Sequence, residues 1–199
     1  METLLSVAGL LIVGAITPGP NNLVVWHAAA RHGLVGALPA MAGIVLGGLV
    51  LLALAMSGMD ALLVSVPALR MALLVAGCIY LMALGIGLIV HPDASNTPER
   101  SHRRLPEGFS GLFLFQFLNP KGWVLLVTAA SAMSAPSRVA AYAQIAALFV
   151  VISLTCLSLW AALGRVFAVV QKGGAGAIWF ERTMGCLLIG SAVLLLVER

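Results

Sequence analysis

The sequence predicts an all-α polytopic membrane protein: six transmembrane helices in two inverted three-helix repeats, with the first and fourth helices broken. Three observations predict it. Hydrophobic residues make up 61% of the 199 residues and charged residues only 9%, with a mean hydropathy of +1.08. An ordinary soluble domain carries about 25% charged residues. Six apolar runs are each long enough for a hydrocarbon core about 30 Å thick, which takes roughly 20 helical residues. Two proline motifs, Thr17-Pro18-Gly19-Pro20-Asn21-Asn22 and Leu118-Asn119-Pro120-Lys121-Gly122, interrupt the first and fourth runs at mid-membrane depth.

The first run covers about residues 3–28. It is preceded by Glu2 and no Lys or Arg, so it lacks the charged start of a cleaved signal peptide and reads as a retained span. The second, about 36–57, carries Gly36, Ala40, Gly43 and Gly47 along one helix face, where small residues let two helices approach closely. Pro39 sits near its start, where a missing N–H costs little. The third run is about 68–90. A polar segment, about 91–108 and rich in Arg, Ser and Pro, separates it from the fourth, about 109–133. The fifth and sixth cover about 139–163 and 177–197. The chain is thus one membrane domain, 1–199, with repeat one about 1–92 and repeat two about 109–199.

The repeat is visible in the residues. Thr17-Pro18-Gly19-Pro20-Asn21-Asn22-Leu23 aligns with Asn119-Pro120-Lys121-Gly122-Trp123-Val124-Leu125. Gly77-Cys78-Ile79-Tyr80-Leu81 has a weaker counterpart in Gly185-Cys186-Leu187-Leu188-Ile189. Three spans per half make the second half enter the membrane with opposite orientation, as in many transporters.

The net charge of +4 and pI near 9.4 reflect loop cations, not a nucleic-acid surface. Arg31, Arg100, Arg103, Arg104, Arg165, Lys172 and Arg182 fall after spans one, three and five, and Arg70, Arg138 and Arg199 on the other side. The positive-inside rule then puts the 91–108 loop in the cytoplasm and both termini outside. Cys78, Cys156 and Cys186 lie within apolar stretches, which argues against an extracellular disulfide framework. His27, His32, His91 and His102 sit near or in loops without metal-ligand spacing. There is no Walker loop, dinucleotide fingerprint or nucleophile elbow. No cofactor and no enzymatic activity are expected.

The breaks carry the candidate site. Asn119-Pro120 and Thr17-Pro18 each pair a helix-capping residue with a proline suited to the first helical position. Each break can therefore start a half-helix, leaving the N–H groups of Gly19, Asn21, Lys121 and Gly122 free. Two such positive ends converging from opposite sides would receive a carboxylate; a pair of proline kinks satisfied by neighbouring helices is the alternative. Lys121 is the one ionisable group well inside a span, and such groups are functional candidates. It could bind a substrate carboxylate or exchange a proton. Asn21 and Asn22 could bind an amino group or satisfy the broken backbone. Gln116, one turn before Pro120, could face the cavity, although packing is the plainer role for it and for Tyr80, Gln144 and Ser153.

With Thr17-Pro18-Gly19-Pro20-Asn21, Asn119-Pro120-Lys121 and Gly77-x-x-Tyr80-Leu81 in place, the whole chain resembles the lysine exporter (LysE/RhtB) family of bacterial amino-acid exporters. The fuller segments Thr17 to Asn22 with His32-Gly33, and Phe115-Gln116-Phe117 before Asn119, look most like the branch exporting cysteine and O-acetylserine. The resemblance implies a multi-pass inner-membrane protein that exports small amino acids, with the proton gradient as driving force. Pro18, Gly19, Pro20, Asn21, Asn22, Gln116, Asn119, Pro120 and Lys121 would bind substrate. Expected partners are a small-molecule amino acid, protons and the lipid bilayer, with no nucleic acid; homo-oligomerisation stays open. Some relatives, including exporters of cationic amino acids, carry Asp where Asn21 stands. Its absence, with Lys121 close by, favours a neutral substrate. Two rivals remain: a thiol–disulfide electron carrier using Cys78 and Cys186, and a membrane scaffold without a site.

Overall fold

The computed structural model describes residues 2–59, 65–90, 92, 108–133, 136–171 and 175–197. The polar loop expected over 91–108 lies outside the described residues apart from Pro92 and Gly108. The described elements are all helical. They are α1 (Glu2–Ile16), α2 (Pro20–Leu54) with a π-helical continuation (Ala55–Met59), α3 (Pro67–Val90), α4 (Phe109–Leu118), α5 (Pro120–Ala132), α6 (Arg138–Gln171) and α7 (Ala175–Val197). On length and composition, Pro20–Gly58, Met71–Val90 and Arg138–Val169 can each cross a membrane, and the bent pair α4 and α5 makes a fourth. Large apolar side chains cover the outer surface, Val35 at 79% and Trp179 at 74% exposure among them. Such a surface suits lipid rather than water.

α2 is a hairpin. Gly33 has φ 74° and ψ 178° inside it, a conformation that only glycine adopts readily. The contacts require the reversal. Asn21 bonds to the Gln116 side chain, and Gly47 packs against that same side chain. Along a straight helix Asn21 and Gly47 would stand about 39 Å apart. The arms at 20–32 and 34–54 therefore fold back on each other, where the sequence expects a loop between its first two spans. The second arm alone is about 32 Å long, enough to cross a bilayer core.

Three apolar clusters hold the bundle. One joins both arms of α2 (Val25, Ala29, Ala40, Ile44) to Leu112 and Phe115 of α4 and Leu157 and Ala161 of α6. A second joins Val7 and Leu11 of α1 to Leu51, Leu126, Ala129, Ile145 and Phe149. The third packs Leu23 with Leu81 and Leu88 of α3 and Met184, Leu188 and Ala192 of α7. The glycine face on the second span does what its spacing suggests. A Cβ on Gly43 would overlap the Phe109 carbonyl, and one on Gly47 would lie 2.8 Å from the Phe113 carbonyl. The site lies between the first two clusters, where both breaks fall.

Candidate functional site

α1 ends where Thr17 donates its N–H to the Val13 carbonyl, 3.2 Å away, and its hydroxyl to the same oxygen. Pro18 has no N–H with which to continue the helix. Gly19, in extended conformation, is the N-cap of α2 and Pro20 its first residue; the Leu23 N–H closes the first turn on the Gly19 carbonyl at 3.0 Å. The new helix thus starts at Gly19-Pro20 and not at Thr17-Pro18, because Gly19 rather than Thr17 has the extended backbone next to the helix.

The second break is built alike. Asn119 is extended, Pro120 opens α5, and α4 and α5 are bent by 69°. Gly19-Pro20 therefore matches Asn119-Pro120, and Asn21 matches Lys121, two residues away from the alignment the sequence suggests. The N–H of Gly122 is not left free: it donates to the Asn119 carbonyl at 3.0 Å. Asn119 caps with its backbone only. Its side chain makes no cap bond, and its Oδ1 is buried without a hydrogen-bond partner.

The chain repairs its own breaks. Asn22 Nδ2 donates to the freed carbonyls of Ala15 and Thr17, at 2.9 and 3.0 Å. Lys121 reaches across from the other break, and its Nζ donates to the Thr17 carbonyl at 2.8 Å. A cation thus meets the negative end of α1. Trp123 Nε1 donates to the Phe117 carbonyl at 3.0 Å, serving the end of α4. Asn21 and Gln116 exchange amide hydrogen bonds of 3.0 and 3.1 Å, and Gln116 Nε2 also donates to the Leu112 carbonyl.

These groups surround a cavity of about 70 Å³, room for roughly five waters at 10–15 Å³ each. Gly19, Pro20, Asn21, Asn22, Gln116, Asn119 and Lys121 line it; Pro18 and Pro120 shape the breaks without lining it. Sequence reasoning missed the wall from α6: Phe149, Cys156 and Leu157, together with Ser153, for which it favoured packing. They stand at i, i+4, i+7 and i+8, the spacing of one helix face. No carboxylate appears among the described lining residues.

Two further ionisable groups are buried where the sequence places interfacial residues. His27 Nε2 lies 3.8 Å from Glu181 Oε1, with side chains 10% and 5% exposed. The first arm of α2 covers the start of α7: Trp26 stacks on Phe180 at 4.3 Å. Among the described residues no group of three His, Cys, Asp or Glu side chains is placed to hold a metal ion.

The cysteines do not form a redox pair. All three are free thiols. α3 and α7 run antiparallel, with Gly85 packed on Gly185 and Cys78 Sγ donating to the Ala192 carbonyl. Cys78 is therefore level with Ala192, about 9 Å along the helix from Cys186, and Cys186 points outward. A disulfide needs Cα atoms within about 7 Å.

The Asn21–Gln116 pair yields a direct test. Asn21→Ala strands the buried Gln116 amide and Gln116→Ala the half-buried Asn21 amide, so each is expected to destabilise by about 1–3 kcal/mol, the second towards the lower end. The double variant should lose less than the sum of the two. Thermal melting of the four proteins in detergent measures this coupling.

The LysE type translocator family model matches residues 12–199. The chain is similar to the cysteine/O-acetylserine efflux proteins of Salmonella typhimurium (strain LT2), 33% identical over 125 residues, and of Escherichia coli (strain K12), 32% identical over 125 residues. Each match covers 63% of this chain and 62% of the relative's length. No solved structure matches.

Proposed function

The chain belongs to the LysE type translocator family, and from that premise we propose that it exports small neutral amino acids or their derivatives, of the cysteine/O-acetylserine or homoserine/threonine kind, from the cytoplasm. The observation that carries this reading is the cavity between the two breaks. Lys121 Nζ offers a positive charge and Asn119 Oδ1 an unpartnered acceptor, which suits the carboxylate and the ammonium of one zwitterion. A second positive charge on the substrate would meet no counter-ion among the described lining residues. That disfavours lysine and arginine. The cavity's small volume favours compact side chains, and the relatives named for cysteine/O-acetylserine efflux point the same way.

In this reading the protein sits in the bacterial inner membrane with six spans and two inverted repeats. The broken spans are α1 with the first arm of α2, and α4 with α5. The second arm of α2 then corresponds to α6, and α3 to α7. Two features support the symmetry. Both breaks match at an offset of one hundred residues. Gly85 and Gly185, at that same offset, contact each other reciprocally: a Cβ on either would lie 2.7 or 2.6 Å from the other's carbonyl oxygen. A two-fold axis between α3 and α7 produces such a pairing, which replaces the weaker match of Gly77 with Gly185. Loop cations put the 91–108 segment in the cytoplasm. Rocking of one repeat against the other would open the cavity to each side in turn, driven by the proton gradient.

Metabolite-resolved analysis of the medium of over-expressing cells tests the proposal. One or a few small neutral amino acids should accumulate outside, and a protonophore should stop their appearance. An unchanged medium, or enrichment in lysine and arginine alone, would sink the reading.

A further inference from the structure

Glu181 is the one buried carboxylate among the described residues, at 4% exposure. Burying an ionisable group in a membrane bundle is costly, and such groups mark ion or proton pathways when they face the bundle interior. Glu181 does face inward. On α7 it shares a face with Met184, Gly185, Leu188 and Ala192, all buried. It meets His27, whose Nε2 lies 3.8 Å from Oε1 and has no hydrogen-bond partner. Two protonatable side chains thus adjoin each other inside the fold and outside the cavity that the zwitterion would occupy.

Their position links them to that cavity. His27 and Asn21 stand on the same short arm of α2, six residues and about 9 Å apart along its axis. The Trp26 carbonyl packs directly against Gly164 of α6, and Trp26 stacks on Phe180 of α7. A change of charge at His27 or Glu181 therefore acts where this arm rests on α6 and α7. The other end of the arm supplies Gly19, Pro20, Asn21 and Asn22 to the cavity.

We propose that His27 and Glu181 form the proton-binding site that couples export to the proton gradient, an inference that rests on the exporter function proposed above. One proton arrives from the periplasmic side and binds the Glu181 carboxylate or the His27 imidazole. It leaves at the end of the fold that carries the Gly33 turn, as one substrate molecule moves outward. No covalent bond other than those to the proton is made or broken. On the arm itself, Arg31 stands one turn beyond His27, within electrostatic reach of both groups, and His32 is exposed. α6 presents Gly164 and Phe167, with Arg165 exposed; α7 presents Phe180, with Arg182 exposed; among the described residues α3 contributes the apolar Leu88 and Ile89 to this end.

The test uses the full chain in liposomes with labelled O-acetylserine as probe. Exchange of labelled for unlabelled probe at equal pH needs no net proton movement, whereas accumulation under an imposed pH gradient does. Glu181→Gln should keep exchange within about twofold and lose gradient-driven accumulation by about tenfold or more, a usual size for coupling between sites. His27→Gln should behave alike, and it decides the matter alone where Glu181→Gln does not reach the membrane. Gradient-driven accumulation at wild-type levels in these variants overturns the inference and leaves the exporter intact. So does loss of both activities in a variant that remains monodisperse. A wild-type protein that moves no amino acid in either assay overturns the exporter reading, and this inference with it.

Discussion

Lys121→Ala is expected to lower export by about 10- to 100-fold, the equivalent of the roughly 1.5–3 kcal/mol of one hydrogen bond to a charged group. The protein itself should stay folded. Lys121 Nζ donates to the Thr17 carbonyl, but Asn22 Nδ2 donates to the same oxygen at 3.0 Å. Removing the ammonium therefore leaves the broken end of α1 satisfied, while the cavity loses its only positive side chain among the described lining residues. Lys121→Arg should recover little, since a planar guanidinium is larger and presents its donors differently. The measurement is export per unit of membrane-inserted protein, with melting in detergent as control. Unchanged export across neutral amino acids would remove Lys121 from substrate binding. A loss of export matched by a loss of folded protein would reduce it to a brace for the first break.

The two breaks were legible in the sequence because proline and its neighbours act locally. Pro20 and Pro120 cannot continue a preceding helix, whatever surrounds them. The choice of capping residue was less legible. Gly19 won over Thr17 because Gly19 has the extended backbone next to the helix, while the Thr17 hydroxyl turns back onto Val13. That moved the correspondence between the breaks by two residues and set Lys121 opposite Asn21 rather than opposite Gly19. The reach of Lys121 to Thr17 spans 104 positions, and no local pattern reports a contact of that range. The same holds for the exchange between Asn21 and Gln116.

Glu181 was hidden for a different reason. Its neighbours Trp179 and Arg182 are exposed, and together they make the start of α7 read as an interface. Hydropathy averages over a window and so is blind to which face a charge occupies. The helical period was the available signal. Positions 181, 184, 185, 188 and 192 fall on one face, and that face is the buried one. His27 follows from the hairpin at Gly33: the first arm runs on to residue 32, past the expected end of the span at about 28, so His27 stays inside the bundle.

Gly43→Val should destabilise the protein by about 1–3 kcal/mol or more, the usual cost of overfilling a packed contact. The reason is the identity of the neighbours. A Cβ at Gly43 would meet the Phe109 carbonyl and, at 3.1 Å, the Phe113 nitrogen. Backbone atoms inside a helix cannot turn aside as a side-chain tip can, so α4 must move away from α2. Gly9→Ala is the control: nothing lies within 4 Å of a Cβ there, and alanine should add up to about 1 kcal/mol of helix stability. Melting in detergent separates the two, and equal shifts would remove close packing as the reason for glycine at position 43. The effect should also reach transport. Gln116 stands on α4 two turns beyond Phe109, held between Gly47 and Asn21. A displaced α4 draws Gln116 away from Asn21 and opens the wall between the two breaks, so export should fall further than the loss of folded protein explains. A fall in export that tracks folded protein alone would mean that the Asn21–Gln116 pair only stabilises the bundle.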